Sequence, residues 1–507
     1  MFMKGMLIQR NVFGVVLLVL WFSWLTAQTQ QSEIVQLRDY IRTEMRRWQV
    51  PGLAVAVVKD GQVLLSEGFG VRNNTQGTPV DDLTIFANCS TTKAMTAIAM
   101  AMLVDEGKVH WQDRVSEHLP DFLLSDPYVT REMRVQDLFT HNIGLGNADF
   151  LWAGSDLKPS EILYQMRYAP LAYSLRGGYT YQNIMYLAAG EIIARRSGLS
   201  WEDFLTQRIF QPLSMRNTYP TLQQSLGNVN RSTPHHRIAG NITPIQDSSA
   251  DQIGPAGSVW SCSKDMTLWM RCLLDSTKYG ADRLISSASY AKIFEPLALI
   301  PRAQFYPTAQ VTQPRWTTYG LGWFQHDYNG QMVQFHTGSL AGTVAILGLL
   351  PEEQLGVYVF GNLDHAEIRH AIMYKTFDLF MGRSKGRNWS EEFHQLHQNL
   401  EQQTKNQREK ILSARRTDTK PAFPLVAYTG KFKHKFYGEI EVSTDQNGLM
   451  ARFSSTLVMP LDHWQFDQFT GQFTLYPWEP AEIISFVPNQ AGIVYQLQYN
   501  GIVFERG

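Results

Sequence analysis

The sequence predicts a large α+β domain, an antiparallel sheet with a helical subdomain, followed by a small all-β barrel. Three observations predict it. Apolar strand patterns near residue 55 and again near residue 345 bracket a helical middle; a highly polar stretch begins near residue 383; and the tail alternates strand-like segments with turns around an aromatic core. At 507 residues the chain exceeds one ordinary core, so two or three domains are expected on length alone.

The elements follow in order. Lys4 and Arg10 precede an apolar run from Val12 to Leu25, and Thr26-Ala27 leads into polar Gln28-Thr29-Gln30. That order marks residues 1–27 as a signal peptide, which implies a secreted protein, or a periplasmic one in a bacterium. The run is short for a spanning helix of about 20 residues, so a membrane is a partner only if the segment stays uncleaved. Glu33 to Arg47 reads as an amphipathic helix. Leu53–Val58 and Val63–Leu65 follow as strands across the turn Lys59-Asp60-Gly61. Ser90 to Asp105 is a strong helix stopped by Gly107. Strand patterns return at Gln331–Phe335, Gly342–Leu350 and Leu355–Phe360, so the sheet should pair distant ends of a domain placed at residues 33–382. Residues 383–420 read as a polar helical linker, with only sparse apolar positions in Glu391–Arg416. Pro421 and Pro424 end it, and residues 421–507 form the β-domain. Its clearest turn is Asp445-Gln446-Asn447-Gly448, and its expected core is Phe432, Phe436, Trp464, Phe466, Phe469 and Phe473.

Composition narrows the function. Hydrophobic residues make up 44% of the chain and charged residues 18%, the balance of a globular protein. Lys+Arg 45 against Asp+Glu 46 leaves a net charge of -1 with no basic tract, which argues against a nucleic-acid partner. Three cysteines give no disulfide framework: Cys262 and Cys272 lie ten residues apart in a helical segment, beyond bonding reach, and Cys89 reads as a small buried hydrophobe. Sequons at Asn73, Asn230, Asn241 and Asn388 would accept sugar in a eukaryotic host. His235-His236 has no third ligand at a useful spacing, so neither metal nor cofactor is expected.

The chemistry lies in three motifs. Ser-x-x-Lys occurs four times, at Ser90, Ser155, Ser261 and Ser289, so the pattern alone decides nothing. Ser90 is distinguished by opening the longest apolar helix, where the positive end of the helix dipole favours an oxyanion. Lys93 follows one turn later on the same face; once buried, such a lysine can lose its proton and act as a base. Tyr-x-Asn occurs once, as Tyr181-Gln182-Asn183, just before the apolar helix Ile184–Arg196. Its phenol can relay a proton to a leaving group, and the Asn183 amide can grip a substrate carbonyl. The third motif, His336-Thr337-Gly338-Ser339, ends a strand with small residues that let a substrate backbone approach. The Ser339 amide can join that of Ser90 as an oxyanion hole.

Ser90-Thr91-Thr92-Lys93, Tyr181-Gln182-Asn183 and His336-Thr337-Gly338, in that order, resemble the beta-lactamase-related, penicillin-binding-protein-like serine hydrolases. This family includes class C beta-lactamases, D-peptidases and esterases. Val50-Pro51-Gly52, Asp137–Leu145, Gln211–Met215, Pro255–Asp265 and Tyr319–Trp323 resemble further elements of it. The resemblance spans roughly Ile34 to Met381, and the tail is similar to the lipocalin-like domain often appended to these hydrolases. It implies a beta-lactamase/transpeptidase-like fold with Ser90 as nucleophile, Lys93 as activator, Tyr181 as general base and acid, and Asn183 as substrate contact. His336, Thr337, Gly338 and Ser339 would face the substrate. Lactamase members usually carry lysine where His336 stands, so a peptidase or esterase acting on a small-molecule or peptide substrate is expected rather than a true beta-lactamase. His336 itself is expected to be neutral and to bond Tyr181 or the substrate. The competing reading is a secreted binding or extracellular-matrix protein that retains the fold; the intact Ser–Lys–Tyr set favours the enzyme.

Overall fold

The computed structural model describes residues 29–382, 386–446 and 448–507. The signal-peptide segment 1–27, Arg383 at the start of the expected linker, and Asn447 in the expected hairpin turn lie outside the described residues.

The larger domain is built on an eight-stranded antiparallel sheet. Its strands are β1 (Gly52–Lys59), β2 (Gln62–Gly70), β3 (Ala298–Leu299), β4 (Thr317–Tyr319), β5 (Phe324–Tyr328), β6 (Gln331–Leu340), β7 (Thr343–Leu350) and β8 (Leu355–Gly361), in the order β2-β1-β8-β7-β6-β5-β4-β3. The distant ends of the domain meet where β1 pairs with β8, Leu53 opposite Gly361 and Lys59 opposite Leu355. β1 is apolar on both sides because both faces of the sheet are covered. Ala54, Ala56 and Val58 join the core beneath helix Ser263–Leu274, while Leu53, Val55 and Val57 join Leu37, Ile41 and Ile372 on the other side. The helical subdomain centres on α1 (Thr92–Asp105), in which every residue from Thr92 to Leu103 is buried. A helix without a polar face needs cover all round, and helix Ile184–Ser197 supplies part of it.

The tail is a closed eight-stranded barrel running from Gly430–His434 to Ile502–Arg506, shut by pairing Phe432 with Arg506 and Lys433 with Glu505. Closure leaves no edge strand to satisfy. Phe432 and Phe469 sit inside it, as expected, but Phe436 and Phe466 do not. Phe466 is 56% exposed at a hairpin tip with φ +45°, and Phe436 packs on Phe150 of the larger domain, so it belongs to that domain's core.

The polar connector also differs from the solvated helix expected. Helix Trp389–Ser413 buries Trp389 and Phe393 completely, with Trp389 Nε1 donating to Asp378 at 2.7 Å. Trp389, Phe393, Leu396 and Leu400 recur at three- and four-residue steps, enough for one apolar stripe along its first three turns. From Glu401 to Arg416 nearly every residue is exposed. Cys89, Cys262 and Cys272 are buried and free. Three of the sequon amides already have partners: Asn73 donates to Thr233, Asn230 to Asp81 and Asn388 to Glu391.

Candidate active site

Ser90 lies in a single tight turn, Cys89–Thr91, that leads directly into α1. Cys89 holds φ +50°, a left-handed conformation rare for a residue with a side chain, and it turns the chain sharply from the preceding strand into the helix. The turn is pinned from below, where Asn88 donates to the Tyr358 hydroxyl at 3.0 Å and Thr91 bonds the same hydroxyl.

Lys93 is fully buried, and its ammonium donates to three acceptors: Ser90 Oγ at 3.1 Å, Asn183 Oδ1 at 2.7 Å and the Ala256 carbonyl at 2.8 Å. Burial drives its pKa from an ordinary 10.5 to about 7, against the opposing pull of Asp149. Tyr181 lies over the same nitrogen, with Lys93 Nζ 4.8 Å from its ring centroid. Burial pushes the Tyr181 phenol well above its usual value, with a bond to Ser90 working the other way, so it keeps its proton. His141 brackets this tyrosine. Its backbone carbonyl accepts from Thr180, its Nδ1 accepts from the Gln182 amide at 3.0 Å, and its ring lies 4.2 Å from that of Tyr181.

Gly338 is where β6 meets the nucleophile. A Cβ there would lie 2.3 Å from the Ser90 amide nitrogen and 2.6 Å from Cys89 Cβ, so only glycine permits this approach. β5 pairs with β6 only from Gln331 to Phe335, which leaves the stretch beyond without a strand on that side. A cavity of about 540 Å³ opens there, lined by Ser90, Tyr181, Asn183, Thr337, Gly338 and Ser339 among others.

His336 departs from the expectation. It is fully buried and not on the cavity wall; its Nε2 accepts from the Tyr319 hydroxyl at 2.8 Å and its Nδ1 donates to the Thr337 carbonyl at 2.8 Å. Burial, and then Lys93, hold its pKa well below the ordinary value, so it is neutral. Neither ring nitrogen, however, is directed at Tyr181 or at the cavity. The physical reason is that β4 brings the Tyr319 hydroxyl within reach of the ring, which sequence spacing does not reveal. The rival serines fall away. Ser261 is buried against Thr218 with Lys264 exposed, and the Ser289 hydroxyl is taken up donating to Asp105. His235 bonds the Asn362 carbonyl, and His236 stacks on Trp478.

Several wall residues carry no sequence motif. Asp149 accepts from both Asn183 Nδ2 and Trp152 Nε1, at 2.9 and 2.8 Å, and so fixes the amide that receives Lys93. Arg369, 3% exposed, donates to the Gly338 carbonyl at 2.6 Å, to Ser339 Oγ at 2.9 Å and to Glu367 at 3.0 Å. Burial would raise the Glu367 carboxyl, but Arg369 and His370 outweigh it and hold the group far below the carboxylate range. The one available signal was the charged run Glu367-Ile368-Arg369-His370 at the head of an otherwise apolar helix, Ile368–Phe380.

Residues 37–375 match the family model described as Beta-lactamase, and residues 414–505 match one described as a domain of unknown function, DUF3471. The chain belongs to the beta-lactamase family and has its serine hydrolase fold. It is 26% identical over 427 residues to the unguisins hydrolase ungD' of Aspergillus campestris, covering 80% of this chain and 77% of that one. It is 22% identical over 349 residues to protein flp of Staphylococcus aureus, covering 67% and 64%. Among solved structures, the octameric penicillin-binding protein homologue from Pyrococcus abyssi aligns with a TM-score of 0.62 at 20% identity, over 93% of this chain and 99% of that one. The class C beta lactamase from Rhodobacter sphaeroides aligns at 0.55 and 18% identity, over 68% and 99%. Both likenesses are of fold.

Proposed function

We propose that this chain is an exported serine hydrolase that cleaves a peptide, amide or ester through an acyl-enzyme on Ser90. The observation that carries the reading is Lys93, wholly buried 3.1 Å from Ser90 Oγ with a pKa near 7. Neutral Lys93 takes the Ser90 proton as Oγ bonds to the substrate carbonyl carbon, and the carbonyl oxygen becomes the oxyanion. The backbone amides of Ser90 and Ser339 receive that oxyanion. Collapse of the intermediate breaks the bond to the leaving amine or alcohol, which takes a proton from the Tyr181 hydroxyl, and Lys93 reprotonates Tyr181. Water then adds to the acyl carbon with its proton going to the same pair, and as the bond from carbon to Oγ breaks that proton passes to Oγ, releasing the acid and restoring Ser90. Asn183 orients the substrate while holding Lys93. The name of the fungal relative, a hydrolase of unguisins, agrees with this class of reaction. The basic and apolar order before Gln28 supports export, and no described helix is long and apolar enough to cross a membrane.

The test is a panel of chromogenic esters and peptide anilides turned over by the purified protein and by Ser90→Ala. Turnover lost in the variant with unchanged circular dichroism is expected, because the Ser90 hydroxyl caps no helix and a lost hydrogen bond such as the one from Lys93 costs only about 1 kcal/mol. Undiminished turnover would overturn the assignment.

A further inference from the structure

The barrel does not stand apart from the catalytic cavity. It docks on the rim of the larger domain: Phe150 stacks with Tyr437 at 4.3 Å, Ser454 Oγ donates to the Gly154 carbonyl at 2.6 Å, and Trp478 stacks on His236 at 4.7 Å. Between these anchor points lies a cleft of about 1310 Å³, larger than the roughly 300–1,000 Å³ of a pocket for one drug-sized molecule. Trp152, Ser339, Leu340 and His365 line both this cleft and the cavity at Ser90, so the two spaces share a wall and adjoin.

The chemistry of the cleft is one-sided. Phe453, Tyr476, Trp478 and Tyr499 give it aromatic faces. Six carboxylates line it, Asp156, Asp364, Glu439, Glu441, Glu479 and Glu482, against a single permanent cation, Arg452. The chain as a whole is nearly neutral, 45 basic residues against 46 acidic, so this is a local concentration rather than the general character of the surface. Glu439 is answered by Lys431 at 2.8 Å; Glu441 stands opposite Lys431 and Arg452 in the strand register without closing to an ion pair, and Glu479 forms no ion pair among the described residues. Aromatic faces beside a six-to-one majority of carboxylates favour a cation on an apolar chain, through cation–π contact and charge together.

We infer that the barrel supplies a second binding subsite, which takes the part of the substrate remote from the scissile bond, a peptide segment carrying basic and aromatic side chains. This rests on the hydrolase reading above for the bond that is cut, and it adds the class of substrate that reaches it. A substrate of several residues fills both spaces, with its reactive carbonyl at Ser90 and its basic segment under the barrel.

The probes are three acetylated, amidated tetrapeptides in which Phe alternates with Lys, Gln or Glu. They are titrated by calorimetry into full-length Ser90→Ala protein, so that hydrolysis cannot intervene. The Lys peptide is expected to bind about tenfold tighter than the Gln peptide, with the Glu peptide weakest. In the double variant Glu441→Gln/Glu479→Gln that preference should fall to about threefold or less. Equal affinity for the three peptides would overturn the inference, and it needs no variant at the cleft. A preference undiminished in the double variant would place the site elsewhere and overturn it equally. Binding as expected without turnover in the wild-type protein would sink the hydrolase reading and leave the subsite standing. Covalent reaction at Ser90 without peptide preference would do the reverse.

Discussion

Replacing Lys93 with methionine should make the protein's stability less dependent on pH, by an amount the structure sets. Methionine keeps an unbranched side chain of similar length but carries no proton. In the native protein burial holds Lys93 near pKa 7, whereas the unfolded chain restores the ordinary 10.5. Between those values the unfolded state binds a proton that the folded state has released, so wild-type stability rises with pH across that window. Each tenfold change in proton affinity is about 1.4 kcal/mol, which gives a destabilisation of roughly 5 kcal/mol at pH 6 that falls to roughly 2 kcal/mol at pH 9. The variant loses the hydrogen bonds from Nζ and leaves Asn183 Oδ1 and the Ala256 carbonyl unpaired; the part of that loss that follows the lysine's protonation is already contained in its shifted pKa, and the rest is the same at every pH. Subtracting the two proteins therefore isolates the lysine. Urea unfolding of both at pH 6 and pH 9 should show the wild type gaining about 2–3 kcal/mol on Lys93→Met as pH rises. A difference that stays constant would mean that Lys93 titrates at its ordinary value, and the case for it as the base would fail.

Three further outcomes follow from the same geometry. The wild-type kcat/KM for a neutral ester should rise about tenfold per pH unit below 7 and level off above it as Lys93 loses its proton; His141 and His336, held well below their ordinary values, do not titrate in that range, and a flat profile from pH 5.5 to 8.5 would count against Lys93. Gly338→Ala puts a methyl group 2.3 Å from the Ser90 amide, and a displacement of about 1 Å at the nucleophile should lower kcat/KM by about a hundredfold, while thermal denaturation still reports a folded protein. Limited trypsin digestion should cut first between Glu401 and Arg416 rather than near Trp389, because only the later turns of that helix are exposed; mass spectrometry of the first fragments decides it.

What the sequence made legible is what local spacing controls. Ser90 and Lys93 sit one helical turn apart, Tyr181 and Asn183 lead into one helix, and Gly338 sits where β6 needs close approach, so the local geometry of each motif could be read from its neighbours, while choosing Ser90 among four Ser-x-x-Lys pairs took the three motifs together. Strand β1, buried on both faces, was legible as an unbroken apolar run, and the barrel as alternation between turns. What depends on pairing across the fold was hidden. The Tyr319 partner of His336 follows from the order of the sheet, and no spacing within the chain encodes it. Asp149 reaches Asn183 from the short helical turn Asp149–Leu151, and Arg369 reaches Gly338 from a helix 31 positions away. Phe436 looked like barrel core because alternation gives the face of a strand but not which domain a turn residue will meet. The apolar stripe of Trp389, Phe393 and Leu396 was diluted by polar neighbours, so a docked helix read as a solvated one.

The most direct test of the central claim is to trap the acyl-enzyme and map it. Wild-type protein is treated at about pH 8 with a fluorophosphonate or a slowly hydrolysed ester, and its intact mass and tryptic peptides are recorded. One adduct per chain is predicted, on the peptide carrying Ser90, absent from Ser90→Ala and formed much more slowly in Lys93→Met. An adduct on any other residue, or unchanged labelling of Ser90→Ala, would contradict the account.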